Sequence, residues 1–157
     1  MSCSSARDSH ALARLKWQGL EHFYLSIFTE IQMAPSTVVS PKTIAANLTE
    51  LWSPRVVAEL DESYVKVAKV KGILAWHSHE FEDELFYILK GVLKIEMEDR
   101  TVVLGEGETF VVPKGVRHNP IADEECLIML IERKSTLHTG AELVSGTRSV
   151  ADQLRSV

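Results

Sequence analysis

From Arg55 to Glu132 the chain is a succession of short apolar runs, each cut off by a turn signal. The runs are Arg55–Leu60, Tyr64–Val70, Gly72–His79, Glu84–Leu89, Val92–Met97, Thr101–Leu104, Thr109–Val112 and Cys126–Glu132. Between them stand Asp61-Glu62, Lys71-Gly72, Lys90-Gly91, Asp99-Arg100, Gly105-Glu106-Gly107 and Pro113-Lys114-Gly115. Many short strands at near-regular spacing, with few residues left for helices, predict an antiparallel sandwich or barrel. Val92-Leu93-Lys94-Ile95-Glu96-Met97-Glu98 partly alternates apolar with charged residues, as a strand with one wet face does.

Both ends of the chain have a different texture. Leu12, Leu15, Leu20, Phe23, Tyr24, Ile27, Phe28 and Ile31 recur at three- and four-residue steps, which predicts a helix over about residues 8–33. Gly19 weakens it, and Pro35 and Pro41 end it and mark a linker. Two readings of this segment stay open: a helix packed on the main domain or on a neighbouring subunit, or a start site misassigned upstream of Met33. After His138 the composition turns to Thr, Gly, Ser and Arg, the texture of a loosely held tail. The expected organisation is an extension over residues 1–45, a barrel over 46–140 and a tail over 141–157.

A chain of 157 residues fits one domain, which can bury enough surface to fold without a disulfide or structural metal. The formal charge of −5 argues against non-specific nucleic-acid binding, which needs a basic surface. No stretch approaches the roughly 20 apolar residues of a membrane span, and Phe23–Phe28 is too short for a secretory core. Cys3 and Cys126 make no disulfide framework, and Cys126 lies in an apolar run as a small core residue. A cytoplasmic, reducing setting is the expectation.

The residues that carry chemistry centre on His77-Ser78-His79. On an extended strand, residues two apart face the same way, roughly 6–7 Å apart at the backbone. Two imidazoles so placed can converge on one ion, although an isolated pair of this kind is a weak signal. From His79 to Glu84 is an odd step, so Glu80-Phe81-Glu82-Asp83 must bend, and Glu84 then opens a strand facing the same way as Phe86 and Ile88. His118 follows a Pro113-x-Gly115 turn and could face back into the interior.

These segments resemble the two signature motifs of the cupin superfamily. The first matches in His77-x-His79, four residues, Glu84, six residues and Gly91. The second matches in Gly107, five residues, Pro113-x-Gly115, two residues and His118. Fifteen residues separate Gly91 from Gly107, the spacing of compact single-domain members. Two positions depart from the pattern: Gly72 falls one place late, with Lys71 in the glycine position, and Ala122 stands where the family has Asn. The resemblance covers about residues 46–138.

What the resemblance implies is an all-β fold, an antiparallel jelly-roll or double-stranded β-helix barrel, here carrying an N-terminal helical extension. It also implies one divalent transition ion (Fe, Mn, Zn, Ni or Cu) held by His77, His79, Glu84 and His118. Three imidazoles and a carboxylate suit all five metals. Arg117 adjoins His118 and points the opposite way. Tyr64 and Lys66 share a strand face with Ala68 and Val70. Facing inward they would be candidate catalytic residues, Lys66 holding an anion and Tyr64 donating a proton; facing outward Lys66 is ordinary solvated surface, the reading favoured here. Phe86, Ile88, Trp76 and Phe110 supply an apolar wall or plain core. Two functions compete: a metal-dependent enzyme acting on a small polar metabolite, by isomerase, dioxygenase or lyase chemistry, or a non-catalytic module that binds a metal or small ligand. A homodimer is expected, since pairing covers exposed sheet edges.

Overall fold

The computed structural model describes residues 38–144 and 146–156. The helix expected over residues 8–33, the Met33 alternative and Cys3 lie outside the described residues. Seven strands form among those described: β1 (Arg55–Leu60), β2 (Ser63–Ile73), β3 (Glu84–Lys90), β4 (Val92–Met97), β5 (Thr101–Gly105), β6 (Thr109–Val112) and β7 (His118–Arg133). Two short helices flank them, α1 (Pro41–Asn47) and α2 (Val150–Gln153). Every pairing between these strands is antiparallel, and they close around one interior as a β-barrel.

β7 is the spine of the barrel. Its second half, Leu127–Arg133, pairs with β2 on one edge and β3 on the other. Its first half, His118–Ile121, pairs with β4. The run expected as one strand over Gly72–His79 does not form one. Register shifts between Val70 and Gly72, Gly72 takes φ +78°, and β2 ends at Ile73. His77 then rejoins the sheet through a single bridge to His118.

Alternation sets what lies inside. Ala68 and Val70 of β2, Phe86 and Ile88 of β3, Leu93 and Ile95 of β4, and Cys126, Ile128 and Leu130 of β7 form the interior cluster. Burial pushes the Cys126 thiol up to about 11, so it behaves as a small apolar residue. Outside the barrel, Val67 and Leu127 pack against Ala45 and Leu48 of the α1 region. Pro41 therefore begins a helix rather than marking a linker. It occupies the first turn, where a missing N–H costs nothing, and the Ser40 side chain caps the helix by accepting from the Thr43 N–H at 3.3 Å.

The C-terminal segment is not loosely held. Thr136, His138, Thr139 and Gln153 are buried, and the Arg148 Nε donates to Ser53 Oγ at 3.1 Å, tying the segment to the start of β1. Ser149 and Asp152 cap α2 reciprocally. Composition suggested looseness because small polar residues bury little apolar area. The structure holds them by hydrogen bonds and close backbone approach. At Gly140 (φ +55°) an added Cβ would fall 1.9 Å from the Ser78 carbonyl oxygen. Gly140→Ala should therefore cost roughly 3 kcal/mol or more, combining left-handed strain with a backbone clash. Gly107→Ala, at φ +85° but with open space around it, should cost only about 1 kcal/mol. Urea midpoints of the two variants check the contrast.

Candidate metal centre

Two backbone hydrogen bonds build the centre. His77 N donates to His118 O and His118 N donates to His77 O, both at 2.9 Å. Residues paired in this way project side chains to one face of the sheet, and the two rings lie with centroids 4.3 Å apart. His79, two residues on, returns to the same face, 5.2 Å from His77 and 5.8 Å from His118 between centroids. Glu84 opens β3 on the inward face it shares with Phe86 and Ile88. The turn between is tied down by Asp83, which accepts from the Lys114 N–H at 2.9 Å, and by Glu82, which accepts from Ser135 Oγ at 2.9 Å. Each of the four residues brings one donor atom within 4.8 Å of the others, and all four are buried.

The backbone also decides which ring nitrogen faces inward. His77 Nδ1 lies 3.0 Å from Ala75 O, and His118 Nδ1 lies 3.1 Å from Val116 O. A carbonyl only accepts, so each Nδ1 carries the proton and each Nε2 of the neutral ring is left with a lone pair. The His118 Nε2 lone pair faces Glu84 Oε2 at 3.1 Å, and His79 Nε2 is 3.3 Å from the same oxygen. Acceptors facing one another in a buried space need a cation between them. Donors each about 2.1 Å from one ion stand about 3.0–3.4 Å apart at right-angle to tetrahedral geometry, and the two spacings from Glu84 to His118 and His79 match. A histidine that anchors Nδ1–H on a backbone carbonyl and offers Nε2 is also the common outer-shell arrangement of metal ligands. The donor set fits a transition ion.

The electrostatics agree. Burial alone would raise the Glu84 pKa, but the His118 and His79 rings beside it outweigh that and hold the carboxyl well below its usual range. Burial, with the neighbouring His118, lowers His77 to about 4, so that ring stays neutral as a ligand must. Burial opposes the charge on His79 too, but Glu84 beside it more than compensates and raises it.

The remaining sequence candidates fall as follows. Lys66 is not solvated surface: it is 1% exposed and faces inward, in a buried ion pair with Glu132. Tyr64 is half-buried on the same face, with Lys66 Nζ 5.9 Å from its ring centroid. Arg117 and Trp76 point outward, while Phe86 and Ile88 are core and Phe110 packs against it. Ala122, in place of the family's Asn, is buried in the core.

Two residues were missed. Glu132 follows Cys126, Ile128 and Leu130 at steps of two, so an acid on an apolar face was visible in the alternation. Burial and the nearby Glu84 raise it to about 7, and its Oε2 has no partner. His138 had no signal in its surroundings, because its place depends on the path of an irregular segment. It lines an interior cavity of about 20 Å3 together with His77, Glu84, Phe86 and Leu130, room for one water-sized group. A larger groove of about 570 Å3 adjoins His79 and is bounded by Glu80, Phe81, Glu82, Leu137 and Gly140.

With the geometry in place, the comparisons are decisive. The model of the family described as "Cupin domain" matches residues 64–132. The crystal structure of a cupin-2 domain containing protein from Shewanella frigidimarina is 42% identical, covers 61% of this chain and 94% of its own, and superposes with a TM-score of 0.59. The chain belongs to the cupin superfamily. This cupin is also 30% identical to YdbB of Bacillus subtilis over 92 residues, 58% of the chain and 81% of YdbB. The crystal structure of protein NMB1881 from Neisseria meningitidis is 28% identical, with a TM-score of 0.57 over 62% of this cupin and 99% of that protein.

Without metal, this cupin should lose stability in mild acid. His77 and His138, both lowered to about 4, stay neutral in the fold, while an unfolded chain protonates them below 6.5. Glu132, raised to about 7, holds a proton in the fold that the unfolded chain releases above 4.5. Across pH 4.5–6.5, His79 and Glu84 keep the charge they carry when unfolded, so they add no slope. The unfolded state then binds about one proton more than the fold, two from the histidines less one from Glu132. Stability should fall by about 1.4 kcal/mol per pH unit on acidification, or about 2 kcal/mol between pH 6.5 and 5 in urea titrations.

The buried pair gives a second test. Above about pH 8, where Glu132 is ionised, Lys66→Met alone should cost about 3–5 kcal/mol by stranding its carboxylate, and Lys66→Met with Glu132→Leu should recover most of that.

Proposed function

We propose that this cupin is a metal-dependent enzyme, binding one divalent transition ion through His77, His79, Glu84 and His118 and acting on a small polar molecule. The observation that carries the reading is the set of buried acceptors turned on one another: the inward Nε2 lone pairs of His77 and His118 and the Glu84 carboxylate. When bound, the ion supplies Lewis-acid or redox chemistry at the coordination positions that four protein ligands leave open.

The chain's own groups shape the rest. The groove beside His79 offers the apolar surfaces of Phe81 and Leu137, both exposed. Glu80 and Glu82 on its wall favour a substrate that is neutral or cationic outside its metal-binding group. Lys66 is occupied by Glu132 and is not free to clamp an anion. Glu132, with a pKa of about 7 and an unpartnered Oε2, is the group suited to holding and releasing a proton near neutral pH. Tyr64 places its ring centroid 5.9 Å from Lys66 Nζ.

A second reading, a metal- or ligand-binding module without turnover, is favoured by one observation. The interior cavity at His77 and Glu84 admits only a water-sized group. Turnover would have to use the groove at His79.

The test is elemental mass spectrometry of gently purified protein grown without added metal, beside a His77→Ala/His118→Ala double variant. About one transition ion per chain is expected, lost in the variant. A chelator should lower the melting temperature. Metal at a hundredfold excess over its Kd should restore about 2.7 kcal/mol. No metal in either protein, even after reconstitution, would overturn the proposal. Metal without conversion of any small polar substrate would leave the binding module.

A further inference from the structure

His138 lines the same interior cavity as His77 and Glu84, yet its ring is fixed the opposite way round. Its Nδ1 lies 3.1 Å from the backbone N of Arg148. A backbone N–H only donates, so Nδ1 must be the acceptor. A neutral imidazole has one N–H and one lone pair, and with the lone pair engaged at Nδ1 the proton sits on Nε2. His77 and His118 face carbonyls at Nδ1 and therefore offer lone pairs at Nε2. The two kinds of backbone partner thus separate the cavity's histidines into two chemical roles.

We propose that His138 is a hydrogen-bond donor to the occupant of the metal cavity, not a fifth ligand. Its Nε2–H would stabilise a single small anionic donor atom bound beside the ligand set. The inference rests on the metal reading above and deepens it, giving the C-terminal segment a part in the site. On this reading the occupant has at least one oxygen, sulfur or nitrogen acceptor close to its metal-binding atom.

Three further observations support the role. The segment is locked in place: Gly140 lies against the Ser78 carbonyl between His77 and His79, and Gln153 Nε2 donates to Arg148 O at 3.1 Å, steadying the residue whose N–H fixes the ring. His138 is only 8% exposed, so water competes poorly for its donor. Burial, opposed by Glu84 and reinforced by the nearby His77, Lys66 and Arg148 side chains, lowers its pKa to about 4, which keeps one donor and one acceptor on the ring near neutral pH.

The first experiment needs no metal. Nitrogen-15 correlation spectra of the metal-free full chain should show His138 protonated at Nε2 and bare at Nδ1 at pH 7. A ring protonated at Nδ1 would overturn the proposal outright. The second uses cobalt(II) as the metal and azide as the anionic probe. His138→Phe should bind cobalt within about threefold of the parent but azide roughly tenfold more weakly. His138→Gln, whose amide restores an N–H, should recover most of the azide affinity. A cobalt affinity reduced more than tenfold in both variants would make His138 a ligand and sink the idea, as would azide binding indifferent to the substitution. Matching far-ultraviolet circular dichroism and melting curves separate these outcomes from misfolding. Should the parent bind no metal at all, the metal reading would fall, and the tautomer would still decide whether His138 is a donor.

Discussion

The reciprocal backbone pair between His77 and His118 is the contact on which the rest depends. It joins two residues forty-one positions apart in the chain at one bridge, outside any regular strand on the His77 side. Without it, His77-Ser78-His79 would be a loop past the end of β2, free to turn either face inward. With it, the parity of the segment is fixed: His77 and His79 go in, while Trp76 and Ser78 do not. One residue of slippage would turn Ser78 inward and dissolve the ligand set, which is why register matters more here than propensity.

Most of this was legible because the information is local. Turn residues mark strand ends, and a period of two assigns faces, so the barrel and the inward face of Glu84 followed from short stretches of sequence. The bend needed between His79 and Glu84 followed from parity alone. The failures share a cause: each depended on a partner far along the chain. Lys66 reads as surface until Glu132 is known to stand beside it, and the two are sixty-six positions apart. Pro41 reads as a breaker until Ser40 is seen capping a helix whose apolar residues meet Val67 and Leu127. His138 has no periodic neighbourhood, and only the Gly140–Ser78 approach explains why it lies at the cavity.

Charge is concentrated inside a barrel that is otherwise apolar. Glu84, Glu132 and Lys66 are all buried, alongside three imidazoles of the centre. Desolvating isolated ions is costly by several kcal/mol each, so the arrangement persists only because the charges meet partners. Lys66 neutralises Glu132, while Glu84 leans on the histidines. A divalent ion in the ligand set would leave a net charge near +1 with Glu84 counted, balanced by a single anionic donor. The metal-free protein instead ties its stability to pH through His77 of that set, together with His138 and Glu132 beside it.

The division of labour in the molecule follows from which backbone groups face each ring. Carbonyls of Ala75 and Val116 leave two imidazoles with a lone pair at Nε2, suited to holding an ion, and the N–H of Arg148 leaves a third with its proton at Nε2. The first two partners lie within two residues of their histidines, in the motif-bearing segments that carry the family resemblance. The third lies ten residues away, in a segment outside the matched family region. Function in such a fold is set by what is grafted onto the barrel rather than by the barrel. In this chain the graft is the C-terminal strap: the barrel brings together the four residues proposed to hold an ion, and the strap places His138 beside them.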